Sequence, residues 1–132
     1  MDFVVKRNAK ITPIEVEELR LSVGWNPNHG MYEAALKNTY ATFSIKSNGK
    51  LIAFARVVSD RSIYAIIVDL NVRPEFQNKG VAKKLMRHII RSMKKDRIEW
   101  VQLLFMPDDK KLDHLYRSLG FKIGKSGYLE LN

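Results

Sequence analysis

From Gly80 to Lys95 the chain alternates apolar and basic residues at helical spacing. Val81, Ala82, Leu85, Met86, Ile89, Ile90 and Met93 fall on one side, and Lys83, Lys84, Arg87, Arg91 and Lys94 on the other. That period predicts an amphipathic helix with its apolar stripe against a core. A second helix is expected in ITPIEVEELRLSVGW. There Thr12 stands at the N-cap, Pro13 takes the first helical place, Glu15 completes a capping box, and Gly24 closes the end. Ile14, Val16, Leu19 and Val23 would supply much of its buried stripe. HGMYEAALKN predicts a shorter helix that turns the chain toward a sheet.

From Thr39 the period changes to two. TYATFSIK alternates and LIAFARVV is a continuous apolar run, and the Asn48-Gly49 pair between them suits a two-residue hairpin. After a break at Asp60-Arg61-Ser62, IYAIIVDLNV predicts a central strand with both faces covered. IEWVQLLFM follows the basic helix as another strand. Strand, helix and strand in that order imply a right-handed crossover between parallel neighbours. Pro107-Asp108 would reset the chain before a last helix, about Asp109 to Leu119, that buries Leu112, Leu115, Tyr116 and Leu119 and stops at Gly120. FKIGKSGYLEL would add a final strand or hairpin.

Composition narrows the class. With 132 residues, 45% of them hydrophobic, the chain suits one domain, residues 1–132, with a real core. No apolar stretch approaches a membrane span or a signal segment, so the expectation is a soluble cytoplasmic protein without membrane contact. The absence of cysteine excludes disulfides, cysteine-zinc sites and a thiol nucleophile. His29, His88 and His114 have no metal-ligand spacing, and no metal is expected. A net charge of +9, from 23 basic and 14 acidic residues, attracts polyanions or phosphorylated small molecules. The charges of KKLMRHIIRSMKK also fit a solvated helix face.

Gly80 opens a helix that follows a strand. The first turn of a helix leaves backbone N–H groups unpaired at the positive end of its dipole, where phosphate binds. A glycine there lets the backbone approach an anion, Ala82 keeps a nearby position small, and Lys79 and Lys83 add charge. A plain strand-to-helix turn would use the same glycine.

The stretch VDLNVRPEFQNKGVAKKLM resembles the principal motif of the GNAT superfamily of N-acetyltransferases. It has a hydrophobic strand, Val-x-Pro, then Gln77-Asn78-Lys79-Gly80-Val81-Ala82 in the place of Gln/Arg-x-x-Gly-x-Gly/Ala. LYRSLGF, residues 115–121, is similar to the tyrosine-x-x-x-glycine-phenylalanine end of the family's last helix. The resemblance implies an α/β fold, a central mixed sheet of about six to seven strands flanked by about four helices. It also implies acetyl transfer from acetyl-CoA to an amine.

By that resemblance, backbone N–H groups of Gln77, Asn78, Lys79, Gly80, Val81, Ala82 and Lys83 would hold the diphosphate of acetyl-CoA. Leu70, Asn71 and Val72 would pair with its pantetheine arm, with an N–H near Val72 polarising the acetyl carbonyl. Tyr116 would protonate the leaving thiolate; a core tyrosine is the alternative. Asp109 stands where many relatives have asparagine and would keep a cofactor hydrogen bond only as an acceptor. Asp69, a carboxylate in a hydrophobic strand, is the first candidate for the base that deprotonates the amine, against a structural hydrogen bond or an ordered water as base. His114 is a second candidate, and His88 is expected in solvent. Trp25, Asn26 and Tyr32 fall in the segment that covers the acceptor site in relatives.

The acceptor would be a small-molecule or peptide amine; a polyamine suits a +9 protein poorly. Rival readings are a basic nucleic-acid- or ribosome-binding module and an acetyl-CoA sensor without turnover. Nucleic acid is not expected as a partner, because no aromatic platforms are interleaved with the basic run. Homodimers are common in the family.

Overall fold

The computed structural model describes residues 2–106 and 108–132. The proline expected to reset the chain, Pro107, lies outside the described residues. Two compact units, residues 1–102 and 103–132, make up the chain.

The first unit opens with a two-residue strand, β1 (Lys6–Arg7), and helices α1 (Pro13–Ser22) and α2 (Tyr32–Lys37). Thr12 Oγ1 accepts from Glu15 N at 3.2 Å and Glu15 Oε1 accepts from Thr12 N at 3.0 Å, completing the expected capping box. Such a cap stabilises a helix by about 1 kcal/mol. Val16 and Leu19 of α1 and Tyr32 of α2 pack with Leu51 and Phe54 into one buried cluster. Ile14, expected on that stripe, is 60% exposed, and Glu17 is buried instead.

Strands β2 (Ala41–Ser47) and β3 (Lys50–Ser59) pair antiparallel around Asn48-Gly49, both at positive φ (51° and 76°), as a two-residue hairpin of this twist demands. β4 (Tyr64–Val72) pairs antiparallel with β3, and α3 (Val81–Lys95) leads to β5 (Trp100–Leu103). The sheet is mixed and runs β1-β2-β3-β4-β5. Among the described residues it has five strands where about six to seven were expected. Glu99 N donates to Ser62 O at 3.4 Å and Trp100 N to Ile63 O at 2.7 Å, so the two strands meet at their starts and run the same way.

The sheet has helices on both faces. Phe54 belongs to the α1–α2 cluster, whereas its neighbour Ala55 sits opposite Phe43, whose ring meets His88 of α3 edge-on at 5.9 Å. Successive side chains of a strand point to opposite faces, so α1 and α2 cover one face and α3 the other. β3, buried along most of its length, is the middle strand, while β4 leaves Ile66 41% exposed and is therefore not covered on both faces throughout. On α3 the expected stripe holds: Val81, Leu85, Met86, Ile89 and Met93 are buried. At its far end Asp96 Oδ2 accepts from Arg7 Nη2 at 2.8 Å and from the Tyr40 hydroxyl at 2.7 Å.

In the second unit, α4 (Lys110–Ser118) ends at Gly120, whose φ of +97° suits a glycine stop. Only Tyr116 of the expected stripe is fully buried. The expected C-terminal strand or hairpin is absent: residues 121–132 form no regular element.

Candidate active site

After β4 the chain makes a 3₁₀ turn, Pro74–Phe76, and reaches α3 through Gln77, Asn78, Lys79 and Gly80. The turn is tied down from both sides. Arg73 is buried, its N donates to Ile52 O at 2.8 Å and its Nε to Leu51 O at 2.7 Å. Gln77 Nε2 donates to Val72 O at 2.9 Å, which joins the two stretches that the motif singled out, residues 70–72 and 77–83. Lys79 Nζ lies over the Phe76 ring at 5.7 Å.

Gly80 is the N-cap of α3 at φ +76°, and no side chain caps the helix's first turn. A Cβ added at Gly80 would meet no atom within 4 Å. The glycine is therefore required for its left-handed backbone and not for internal packing. A groove of about 470 Å³ begins at Gly80 and continues past Lys83, Lys84, Arg87 and Arg91. An open backbone turn at a helix N-terminus, with cations alongside, has the chemistry that suits an anion such as phosphate.

β4 carries a bulge. Phe54 pairs with Asn71 and Arg56 with Val68, so Ala55 alone faces both Asp69 and Leu70. Asp69 takes the left-handed conformation this requires, φ +60°. Aspartate and asparagine are among the few non-glycine residues that do so readily. Its carboxylate is engaged on both oxygens. Arg20 Nη1 donates to Oδ1 at 2.9 Å, while Tyr32 OH at 2.8 Å and Arg56 Nε at 2.6 Å donate to Oδ2. Burial first, then the neighbouring carboxylate, pushes the Tyr32 phenol up to about 12, so it remains a donor. Arg20 also stacks on Trp25 at 5.2 Å and donates from Nε to Asn26 O at 2.7 Å, tying the α1–α2 connection to the bulge.

Beyond the bulge, Leu70 is half-buried, and Asn71 and Val72 are buried. Asn71 is 7% exposed, and its Oδ1 has no hydrogen-bond partner among the described residues. An orphaned buried acceptor of this kind costs about 1–3 kcal/mol.

In the second unit Tyr116 packs between Phe105 (ring centroids 5.1 Å apart) and Phe121 (5.9 Å). Burial, and secondarily Asp109, pushes its phenol up to about 12. Asp109 is the N-cap of α4, its Oδ1 accepting from Leu112 N at 3.0 Å.

His88 departs from expectation: it is half-buried against Phe43, and burial followed by Arg91 and Arg7 holds its imidazole below the usual range. His29 Nδ1 meets the buried Glu17 carboxylate at 2.5 Å. Among the described residues no group of His, Asp or Glu is placed to hold a metal, and no helix is long and apolar enough to cross a membrane. The Arg20 and Arg56 partners of Asp69 were missed in the sequence. The available signal was charge out of place: Arg20 at helical spacing from Val16, and Arg56 and Asp69 each inside an apolar strand.

Residues 10–121 match the acetyltransferase (GNAT) family profile. An uncharacterized N-acetyltransferase, ycf52, of Pyropia yezoensis is 32% identical over 125 residues, 91% of this chain and 70% of that protein. A GNAT-family acetyltransferase of Streptococcus pneumoniae has a similar structure, with TM-score 0.83 and 25% identity over 99% of this chain and 98% of that one. A GNAT-family acetyltransferase of Elizabethkingia anophelis, solved with acetyl-CoA bound, shares the fold at TM-score 0.76 and 20% identity over 93% of this chain and 78% of that one.

Proposed function

The chain belongs to the GNAT family of acetyltransferases, and on that footing we propose that residues 1–132 act as one N-acetyltransferase domain that moves the acetyl group of acetyl-CoA onto an amine. The observation that carries this reading is Gly80. Its turn is left-handed, uncapped by any side chain, open where a Cβ would be, and flanked by a groove of lysines and arginines. The Gln77 N–H, expected in the cradle, already donates to Pro74 O at 3.2 Å, so backbone N–H groups from Asn78 to Lys83 hold the diphosphate, and the groove supplies further cations to the phosphates. The backbone of Leu70, Asn71 and Val72 receives the pantetheine arm.

Transfer is direct. The amine nitrogen attacks the acetyl carbonyl, an N–H near Val72 stabilises the developing oxyanion, and the C–S bond breaks to release CoA thiolate. Without cysteine there is no thiol to carry an acetyl-enzyme. Tyr116 serves the leaving thiolate. A phenol held at about 12 stays protonated through the physiological range, and at that pKa its contribution is mainly hydrogen-bond donation. Asp69 is better suited to holding the bulge than to taking a proton, since both oxygens already accept from two guanidiniums and a phenol. Proton removal from the amine is left to water. Asp109 is committed to capping α4, which argues against its use as a cofactor ligand. The acceptor is a peptide amine, an arylalkylamine or an amino sugar.

The test is a titration with acetyl-CoA followed by thiol release over an amine panel. Acetyl-CoA should raise the melting temperature by mass action, and initial rates should follow a sequential pattern. Stabilisation by RNA or DNA and not by acetyl-CoA would overturn the reading. Binding without turnover would leave a sensor, and parallel-line kinetics would refute direct transfer.

A further inference from the structure

Asn71 Oδ1 is buried and has no donor among the described residues. Asn71 pairs across the ladder with Phe54, which packs under α1 and α2, so its side chain stands on the α1–α2 face of the sheet. Asp69 presents its carboxylate to the same helices, roughly 6–7 Å along the strand. Arg20, Arg56 and Tyr32 all give hydrogen bonds to Asp69, and Arg20 donates further to Asn26 O and Arg56 to Thr39 Oγ1. The protein therefore satisfies one acceptor of this face three times over and leaves the next one empty.

A ligand that completes the site must bring an N–H. Building on the acetyltransferase reading, two sources exist, the pantetheine amides and the acceptor amine. A pantetheine arm that pairs with β4 as a strand would lie in the plane of the sheet, where it meets backbone groups; side chains rise out of that plane. The group that approaches along the Asn71 side chain is the acceptor. We propose that Asn71 Oδ1 accepts an N–H of the incoming amine and that this contact selects uncharged primary amines.

Charge supports the neutral form. Two guanidiniums against one carboxylate leave the Arg20–Asp69–Arg56 cluster at +1, which disfavours an ammonium nearby and eases loss of its proton. Stoichiometry supports the primary class. A neutral primary amine has two N–H bonds. As the C–N bond forms and the C–S bond breaks, one proton leaves to water, the thiolate takes its own from solvent, and the amide product keeps one N–H on Asn71. A secondary amine gives a product with no N–H and leaves the oxygen orphaned again.

The experiment compares the wild type with Asn71→Leu, of similar shape but without an acceptor, and with Asn71→Ala, which is read instead if the leucine variant does not fold. Probes are an alanyl peptide, a lysyl peptide and tryptamine, the first and last also as N-methyl forms. The wild type should prefer the primary amine of each pair at least tenfold. Asn71→Leu should melt at the same temperature or higher, bind acetyl-CoA within about twofold of wild type, and lose at least tenfold in kcat/KM on the primary amines, with the preference gone. Wild-type failure to bind acetyl-CoA or to release thiol with any amine overturns the acetyltransferase reading and this inference with it. An active wild type with an equally active leucine variant overturns the role of Asn71 alone. A fall in acetyl-CoA affinity with unchanged amine KM overturns it in favour of the pantetheine arm, and a leucine variant that folds but melts several degrees lower makes the amide structural.

Discussion

Replacing Gly80 by Ala, Asn and Glu separates the backbone role of this residue from its role toward an anion. Beyond the flanking residues no atom lies within 4 Å of the position a Cβ would take, so the Cβ that all three share meets no clash there. The stability cost comes from φ +76° alone. For alanine and glutamate that is about 1–2 kcal/mol, or roughly 3–8 °C in melting temperature for a chain of this size. Asparagine visits the left-handed region more readily and should cost less than alanine. Binding should follow a different order. A glutamate carboxylate about 4 Å from a diphosphate charge, at an effective dielectric constant between that of a protein surface and that of water, is repelled by about 1–4 kcal/mol. That corresponds to about 5- to 1,000-fold in acetyl-CoA affinity. Alanine and asparagine add bulk without charge and should lose less. Urea denaturation reads the stability order, glycine, asparagine, then alanine with glutamate, and calorimetric titration with acetyl-CoA reads the binding order, with glutamate alone at the bottom. A folded glutamate variant that binds like wild type, or affinities that simply follow stability through the series, would refute the assignment of Gly80 to the diphosphate.

Tyr116→Phe removes one hydroxyl from the Phe105–Tyr116–Phe121 trio and should lower turnover by about 10- to 1,000-fold while acetyl-CoA affinity stays constant; full activity across the pH range would return the residue to packing alone. Asp69→Ala strands two largely buried guanidiniums and should cost about 3–5 kcal/mol in urea unfolding, with Asp69→Asn costing clearly less because it keeps an acceptor and tolerates φ +60°; an alanine cost below about 1 kcal/mol would show that the cluster does not hold the bulge. His88, with Phe43, Arg91 and Arg7 around it, has a folded pKa below its unfolded value of 6.5, so the unfolded chain takes up the proton first. Its stabilising contribution is present above pH 6.5 and is lost as pH falls through that value toward the folded pKa, and His88→Gln should flatten this part of the stability profile measured by thermal unfolding.

Local chemistry was legible in the sequence wherever neighbours in the chain settle the structure. The Thr12 capping box, the Asn48-Gly49 hairpin and the α3 stripe depend on contacts within four residues, and each appears as read. Features made by distant contacts were not legible. β1 is two residues long and pairs Lys6 with Ser44, so no periodicity marks it. FKIGKSGYLEL has apolar residues at strand spacing but stays irregular, since alternation records a preference and pairing needs a partner edge. The glycine turn could be found because its neighbours in sequence are its neighbours in space. The pin on Asp69 is assembled from positions 49, 37 and 13 residues away, and the orphaned oxygen of Asn71 is defined by what surrounds it in three dimensions.

The ion pair between Arg7 and Asp96 joins residues 89 apart, and that separation bears on the order in which the chain assembles. β2, β3 and β4 pair through short connections and have little loop to close, so they suit an early nucleus. Arg7 reaches its partner only after β1 has docked on β2 and α3 has run its full length against the sheet, and closing so long a loop carries the larger entropy. The contact then belongs to the native side of the barrier. At the roughly 0–1 kcal/mol such a part-exposed pair contributes, it slows opening of the folded molecule more than it speeds its formation, so that the amino-terminal residues act as a modest latch on a structure they take little part in building.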